Sequence, residues 1–257
     1  MDQNIIVSLT SFPARINTVW LTIETILRQT IKPKHIILWL SRDQFPSKSY
    51  LPPNLICLEK RGLKIELVEG DLKSHKKYYY SFIEYPDDYI ITIDDDVFYN
   101  TKLIEFLWYA HLNYPDCICC NESHFISFTE DKQLRPYKTW LHNFNFDLLP
   151  SKLLCPIGIG GVLYPPHSLS KLVTQTDIFM QCCPRADDLW LKAMSLIANR
   201  KVVQTSYHSM FMPVKISHNT TLSSSNISSG NDIQLQSLRD VLVDKINLDP
   251  FSFENLR

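Results

Sequence analysis

Ile90-Ile91-Thr92-Ile93-Asp94-Asp95-Asp96 decides how this 257-residue chain is read. A short uncharged run leads straight into three consecutive carboxylates. A run of that length, ending in acids, reads as a strand buried on both faces. Such strands belong to largely parallel sheets covered by helices. In those sheets ligands bind beyond the carboxyl ends of the strands, which places the acids at a site. Residues two apart on a strand share a face, so Asp94 and Asp96 are expected to point the same way. Like charges this close repel, and a divalent cation relieves the repulsion because hard cations prefer carboxylate oxygen. Asp96 and Asp94 are therefore the expected metal ligands, with Mn²⁺ or Mg²⁺ as the ion.

Moving outward, the first half alternates strand and helix signals. Residues 4–9 (Asn-Ile-Ile-Val-Ser-Leu) read as a strand, and residues 18–30 carry Val19, Ile23, Ile26 and Leu27 near helical spacing. Pro33 stops that helix before a second strand at residues 36–40. Pro52 and Pro53 open a short helical turn that Gly62 ends, and residues 64–68 form a third strand. Ser74 is placed to cap a helix through Phe82. Residues 89–93 are the fourth strand, and residues 103–112 are helical. The second half predicts a long aromatic excursion over residues 121–150, a helix over residues 186–198, a strand over residues 201–205 and a closing helix over residues 232–246. The fold class is α/β, a mostly parallel Rossmann-type sheet flanked by helices. One domain is expected over residues 1–257, in three parts: 1–100, 101–221, and a mobile loop and helix over 222–257.

Composition excludes other classes. Hydrophobic residues at 45% and charged residues at 21% are globular values, not those of a disordered chain. Lys plus Arg number 26 and Asp plus Glu 27, so bulk charge gives no case for nucleic acid. The first residues lack a basic and then apolar leader, and no apolar run approaches the ~20 residues of a membrane span. The seven Cys are odd in number and partly adjacent, a poor disulfide framework that fits a reducing compartment. Cys117 and Cys120 have CxxC spacing but no second pair, and read as buried thiols.

Five further groups of residues carry chemistry. Thr10-Ser11-Phe12-Pro13-Ala14-Arg15 follows the first strand and offers a ring for a base and a cation for a diphosphate. Asp71 and the basic run Lys73-Ser74-His75-Lys76-Lys77 follow the third strand, and cations at a helix start suit a bound anion. Gly158, Gly160 and Gly161 allow close backbone approach to a ligand. Asp187 and Asp188 open a helix; one caps it and the other is free to act as a general base. His208 or His218 could complete a carboxylate metal site, His218 being preferred.

Taken in this order, the motifs resemble the GT-A glycosyltransferases, with Asp94-Asp95-Asp96 similar to their DxD motif. The wording around residues 9–16 and 92–96 also resembles bacterial transferases of surface-polysaccharide synthesis. The resemblance implies a nucleotide-sugar donor, a UDP-sugar first, and a saccharide or lipid-linked acceptor. Thr10, Phe12 and Arg15 would line the nucleotide pocket, Asp71 would lie near base or ribose, and Lys77 near the diphosphate. Asp94 or Asp95 would contact the donor, and Asp96, Asp94 and His218 would hold the metal. Gly160, Gly161 and Trp190 would face the acceptor. Asp188 matches the base of inverting members, with Asp187 as the alternative. Residues 222–230 would order over bound donor, and the location would be cytoplasmic, at the inner membrane face. Rival readings are a sugar nucleotidyltransferase, a non-catalytic binding subunit of the same fold, and a metal-dependent phosphate-ester hydrolase. The first would want a Gly-rich loop after the first strand, and residues 10–15 contain no glycine.

Overall fold

The structure is a computed structural model that describes residues 4–141, 149–207, 212–214 and 230–257. Its elements run β1 (Ile5–Thr10), α1 (Val19–Leu27), β2 (His35–Ser41), α2 (Pro53–Ile56), β3 (Leu63–Val68), α3 (Lys76–Glu84), β4 (Tyr89–Thr92), β5 (Val97–Phe98), α4 (Leu103–Asn113) and β6 (Ile118–Cys120). There follow β7 (Ser123–Phe125), β8 (Leu154–Pro156), β9 (Val162–Tyr164), α5 (Thr176–Cys182), α6 (Asp187–Ile197), β10 (Val202–Gln204), β11 (Met212–Pro213), α7 (Asn231–Ile246) and α8 (Phe253–Leu256). Among the described residues, no helix is long and apolar enough to cross a membrane.

Seven strands form the main sheet in the order β10-β6-β9-β4-β1-β2-β3. Every pairing is parallel except those of β9, which runs antiparallel to β4 and β6. The parallel α/β fold expected from the 90–96 stretch is thus the fold observed. The alternation of β1 explains the layering. Ile5, Val7 and Leu9 face a core shared with Val19, Ile23 and Ile26 of α1 and with Leu103, Ile104 and Leu107 of α4. Ile6 faces the other side, with Ile37, Trp39 and Ile90 under Tyr80 and Phe82 of α3. A separate cluster packs α5, α6 and α7 against Ile118, Val162 and Tyr164.

The polar face of β1 fixes the placement of α3. Ser8 Oγ donates to the Lys77 carbonyl at 2.5 Å and shares a hydrogen bond with Ser81 Oγ at 2.7 Å, while Trp39 Nε1 donates to Ser81 Oγ at 2.9 Å. A buried network satisfied in this way permits one register of helix on sheet, and so one position for Lys77. The predicted Ser74 cap is absent: α3 starts at Lys76, and no side chain caps it. Order β1-β4 beside β1-β2 makes the β1/β4 junction a switch point, with helices on opposite faces on either side.

Lys192 of α6 is 1% exposed, and its ammonium has no hydrogen-bond partner among the described residues. Burial lowers it to about 8, against a smaller opposing pull from Cys155 and Cys120. The unfolded lysine holds its proton up to the ordinary value near 10.5, so the fold bears a penalty that is full below pH 8 and fades between about pH 8 and 10.5. Lys192→Met is therefore expected to stabilise the protein at pH 7 by up to about 3 kcal/mol, a gain that shrinks toward pH 10. Urea midpoints of both proteins at pH 7, 8.5 and 10 check this, and a pH-independent difference refutes it. Only the difference between the proteins is diagnostic, because buried Cys119, raised by burial, erodes both proteins alike at alkaline pH.

Candidate active site

The acids converge beyond the carboxyl ends of β1 and β4. Strand β4 stops at Thr92, and a bend at Asp95 and Asp96 breaks the strand alternation. Asp94 and Asp96 are 33% and 22% exposed, whereas Asp95 is turned inward at 7%. Asp95 accepts hydrogen bonds from Ser11 Oγ at 2.6 Å and Arg15 at 2.6 Å. Thr22 of α1 donates to the Asp95 carbonyl at 3.0 Å. Asp95 therefore anchors the triplet to the first loop, a different position from the donor contact expected of it.

Arg15 also departs from expectation. Its guanidinium spans Asp95 and Asp96, with the second contact at 2.9 Å. Burial alone would lower its pKa, but Asp95 and Asp96 outweigh burial and raise it. The cation anticipated for a diphosphate thus serves first to neutralise the triplet. Phe12 stays partly exposed, with the Arg15 guanidinium 5.4 Å from its ring centre. Thr10 Oγ1 donates to the Trp39 carbonyl at 2.8 Å. Burial and the neighbouring acids push Asp96 up to about 6 despite Arg15.

The basic segment has internal partners as well. Asp71 pairs with Lys73, Lys76 and Gln44, so its carboxylate is filled by protein donors at the place where a ribose or base was expected. Lys77 is buried, and its Nζ lies 2.7 Å from Asp187, 3.0 Å from Asp94 and 4.0 Å from Asp188. Burial would lower its pKa, yet these three acids raise it well above the ordinary value. The charges expected to await an anion at a helix start are instead matched by carboxylates.

The acid pair opening α6 divides into two environments. Asp187 is 6% exposed and held by Lys77. Burial would raise its pKa, but Lys77 and His75 lower it. Asp188 keeps 29% exposure, and the Gly158 N–H donates to its two oxygens at 3.2 and 3.3 Å. Burial, with Asp187 and Asp94, lifts Asp188 to about 7 against Lys77.

His75 was read only as one member of the basic run, with no role of its own. It is wholly buried, stacks on Phe179 at 4.3 Å and contacts the Cys183 carbonyl at 2.8 Å and Tyr78 hydroxyl at 2.7 Å. A carbonyl only accepts, so Nε2 carries the proton and Nδ1 accepts from Tyr78. Burial lowers this imidazole to about 4, so it is neutral at pH 7. It ties the start of α3 to the loop that leads into Asp187.

The glycines change roles. A β-carbon on Gly158 would lie 2.7 Å from Lys77 Nζ, 3.1 Å from Asp94 and 3.2 Å from Asp188. Gly158 is thus the glycine at the charged cluster. Gly160 instead abuts Glu122, whose Cβ would be 2.5 Å from an added methyl, and Gly161, at φ +79°, faces Leu103. Trp190, expected on the acceptor side, is 0% exposed and donates to the Val173 carbonyl at 3.0 Å, so it belongs to the core. His208, His218 and residues 222–229 of the expected mobile loop lie outside the described residues. Val214 N–H donates to the Asp96 carbonyl at 2.8 Å, and β11 pairs with β5, so the chain does return past the triplet before His218. Among the described residues, no three His, Cys, Asp or Glu side chains converge as a cation site.

A mostly parallel sheet whose acids gather beyond its switch point is the GT-A-like architecture that the motifs resembled. The chain is similar to Staphylococcus aureus TarS 1-349 in complex with UDP-GlcNAc, with a TM-score of 0.55 and 10% identity over 97% of this chain and 68% of that one. It is also similar to TarS 1-349 in complex with UDP, with a TM-score of 0.53 and 9% identity over 96% and 72%. At such identities the likeness is one of fold. No protein-family model matches the chain, and no curated protein matches it by sequence.

Proposed function

We propose that this chain is a glycosyltransferase that moves a sugar from a nucleoside diphosphate sugar, a UDP-sugar first, to a hydroxyl of a saccharide or lipid-linked saccharide. The observation that carries this reading is the cluster joined by Lys77: a donor-side acid, Asp94, and a second partly exposed acid, Asp188, in a fold shared with a structure holding UDP-GlcNAc. The resemblance around residues 9–16 and 92–96 extends the reading to bacterial surface-polysaccharide synthesis at the cytoplasmic face of the membrane.

Asp188 takes the proton from the acceptor hydroxyl as that oxygen attacks the anomeric carbon, a single displacement that inverts it. The Gly158 N–H orients this carboxylate, and the Asp187–Lys77 pair supports it from below. Phe12 packs on the base, beside Thr10. Arg15 and Asp95 hold Asp96 in place. Lys77 occupies Asp94 Oδ1 and Arg15 occupies Asp96 Oδ2, which leaves one oxygen of each acid for Mn²⁺ or Mg²⁺. Two carboxylates fit such an ion when diphosphate oxygens and water complete its shell. When bound, it would neutralise charge on the leaving diphosphate.

Thermal shifts with UDP, GDP, CDP and CMP, each with Mn²⁺ and with EDTA, test the reading beside Asp96→Ala. A nucleotide at ~100 times its dissociation constant stabilises by ~2.7 kcal/mol. The expected result is a UDP shift that needs Mn²⁺ and is lost in Asp96→Ala. No shift with any nucleotide refutes the transferase reading.

A further inference from the structure

One carboxylate at this edge of the sheet has no cation partner among the described residues. Glu122 follows β6, on the same edge of the sheet as the triplet. Strand β9 lies between, with Val162 paired to both Thr92 and Cys120. Glu122 is thus about two strand spacings from Asp94, or about 10 Å. A single turn connects the two sides. Its first residue, Gly158, lies against Asp188, Lys77 and Asp94, and Gly160 lies against Glu122. The Glu122 carbonyl accepts from Ile157 N–H at 3.0 Å, which fixes the backbone there.

Asp71, Asp94, Asp95, Asp96 and Asp187 each have a lysine or arginine partner. The Glu122 carboxylate has neither hydrogen bond nor ion pair among the described residues, and it is only partly exposed. Burial alone pushes it up to about 7. Tyr137 sits 5.4 Å from His124, two residues beyond Glu122, and 4.9 Å from buried Trp140. Unspent carboxylate oxygens at this edge suit a sugar, whose hydroxyls donate to them.

We propose that Glu122 accepts hydrogen bonds from ring hydroxyls of the acceptor, and that the acceptor ring seated between Glu122 and Asp188 is uncharged. The inference rests on the transferase reading. An acidic acceptor ring would meet Glu122 with no cation among the described residues paired to it, and like-charge contact opposes binding.

Saturation-transfer NMR at pH 8, with UDP and Mn²⁺ present, tests it using methyl glucoside, methyl galactoside, methyl N-acetylglucosaminide and methyl glucuronide as probes. Wild type is expected to bind at least one neutral glycoside and to bind the glucuronide at least tenfold more weakly. Glu122→Ala should weaken the neutral glycoside at least tenfold. Glu122→Gln keeps an oxygen acceptor and loses the charge, so it should retain the neutral glycoside and admit the glucuronide. The UDP thermal shift should be the same in all three proteins, which reports folding and the donor side separately. Wild type that binds no neutral glycoside, wild type that binds the glucuronide equally well, or Glu122→Ala that binds as wild type overturns the proposal. Loss of the UDP shift in wild type strikes the transferase reading instead, while glycoside binding still reports on Glu122.

Discussion

Asp188→Asn is expected to lower sugar transfer by roughly 10²–10⁴-fold while the UDP-induced thermal shift stays as in wild type. The substitution is nearly isosteric. The amide oxygen still accepts the Gly158 N–H, so the turn over residues 158–161 keeps its hydrogen bond. What disappears is the group that can take a proton. Asp188 differs from Asp187 in the way a base must: it retains 29% exposure, and burial with its acidic neighbours lifts it to about 7. Asp187 is enclosed and has its charge matched by Lys77. Single-turnover transfer with the donor identified by the thermal-shift panel is the measurement. Near-full activity in Asp188→Asn would remove the base from the mechanism and favour a retaining displacement, which needs none at this position.

Residue chemistry alone left the two acids open, only the resemblance favouring Asp188, and the reason is general. Both open the same helix, and either could cap it. Their separation depends on Lys77, more than a hundred residues earlier, which local spacing does not reveal. The same holds for the triplet. The run from Ile90 into three acids correctly announced a buried strand, a parallel sheet and the edge where the acids sit. It did not reveal that Asp95 turns inward, because Ser11 and Arg15 reach it from the loop after β1. Period-two reasoning applies to a strand, and the chain bends at Asp95 and Asp96. Charges read as open to an anion proved mutually paired for a similar reason: a sequence shows that Lys77 and Arg15 are cations, not which carboxylates fold against them. Gly158, Gly160 and Gly161 looked alike until their neighbours were known, and Trp190 was legible only as an aromatic on a helix. Glu122 carried no local signal, and His75 was legible only as part of a basic run.

Lys77→Met tests how far that pairing holds the site together. It is expected to cost about 3–5 kcal/mol, because the change leaves buried Asp187 charged and unpaired. In a chain of this length that corresponds to a fall in melting temperature of roughly 6–20 °C. The side chain is close in volume to Lys, so little of the loss is a cavity effect. Lys77→Met with Asp187→Asn should recover at least half of the loss, since the second change removes the stranded charge. A coupling of ~0.5–3 kcal/mol between neighbours of this kind is readily measured by urea unfolding of the four proteins. The pH dependence has a definite sign. In Lys77→Met, the folded-state pKa of Asp187 rises above its unfolded value, so the penalty is full above the new value and fades as pH falls and the carboxyl takes a proton. Lowering pH from 7 to 5 should therefore narrow the gap to wild type, whose Asp187 is held below the ordinary carboxylate range by Lys77 and His75 against burial. Additive losses, or a gap that widens on acidification, would mean that Lys77 contributes packing and not charge, and that Asp94 and the α6 acids are held together by the backbone alone.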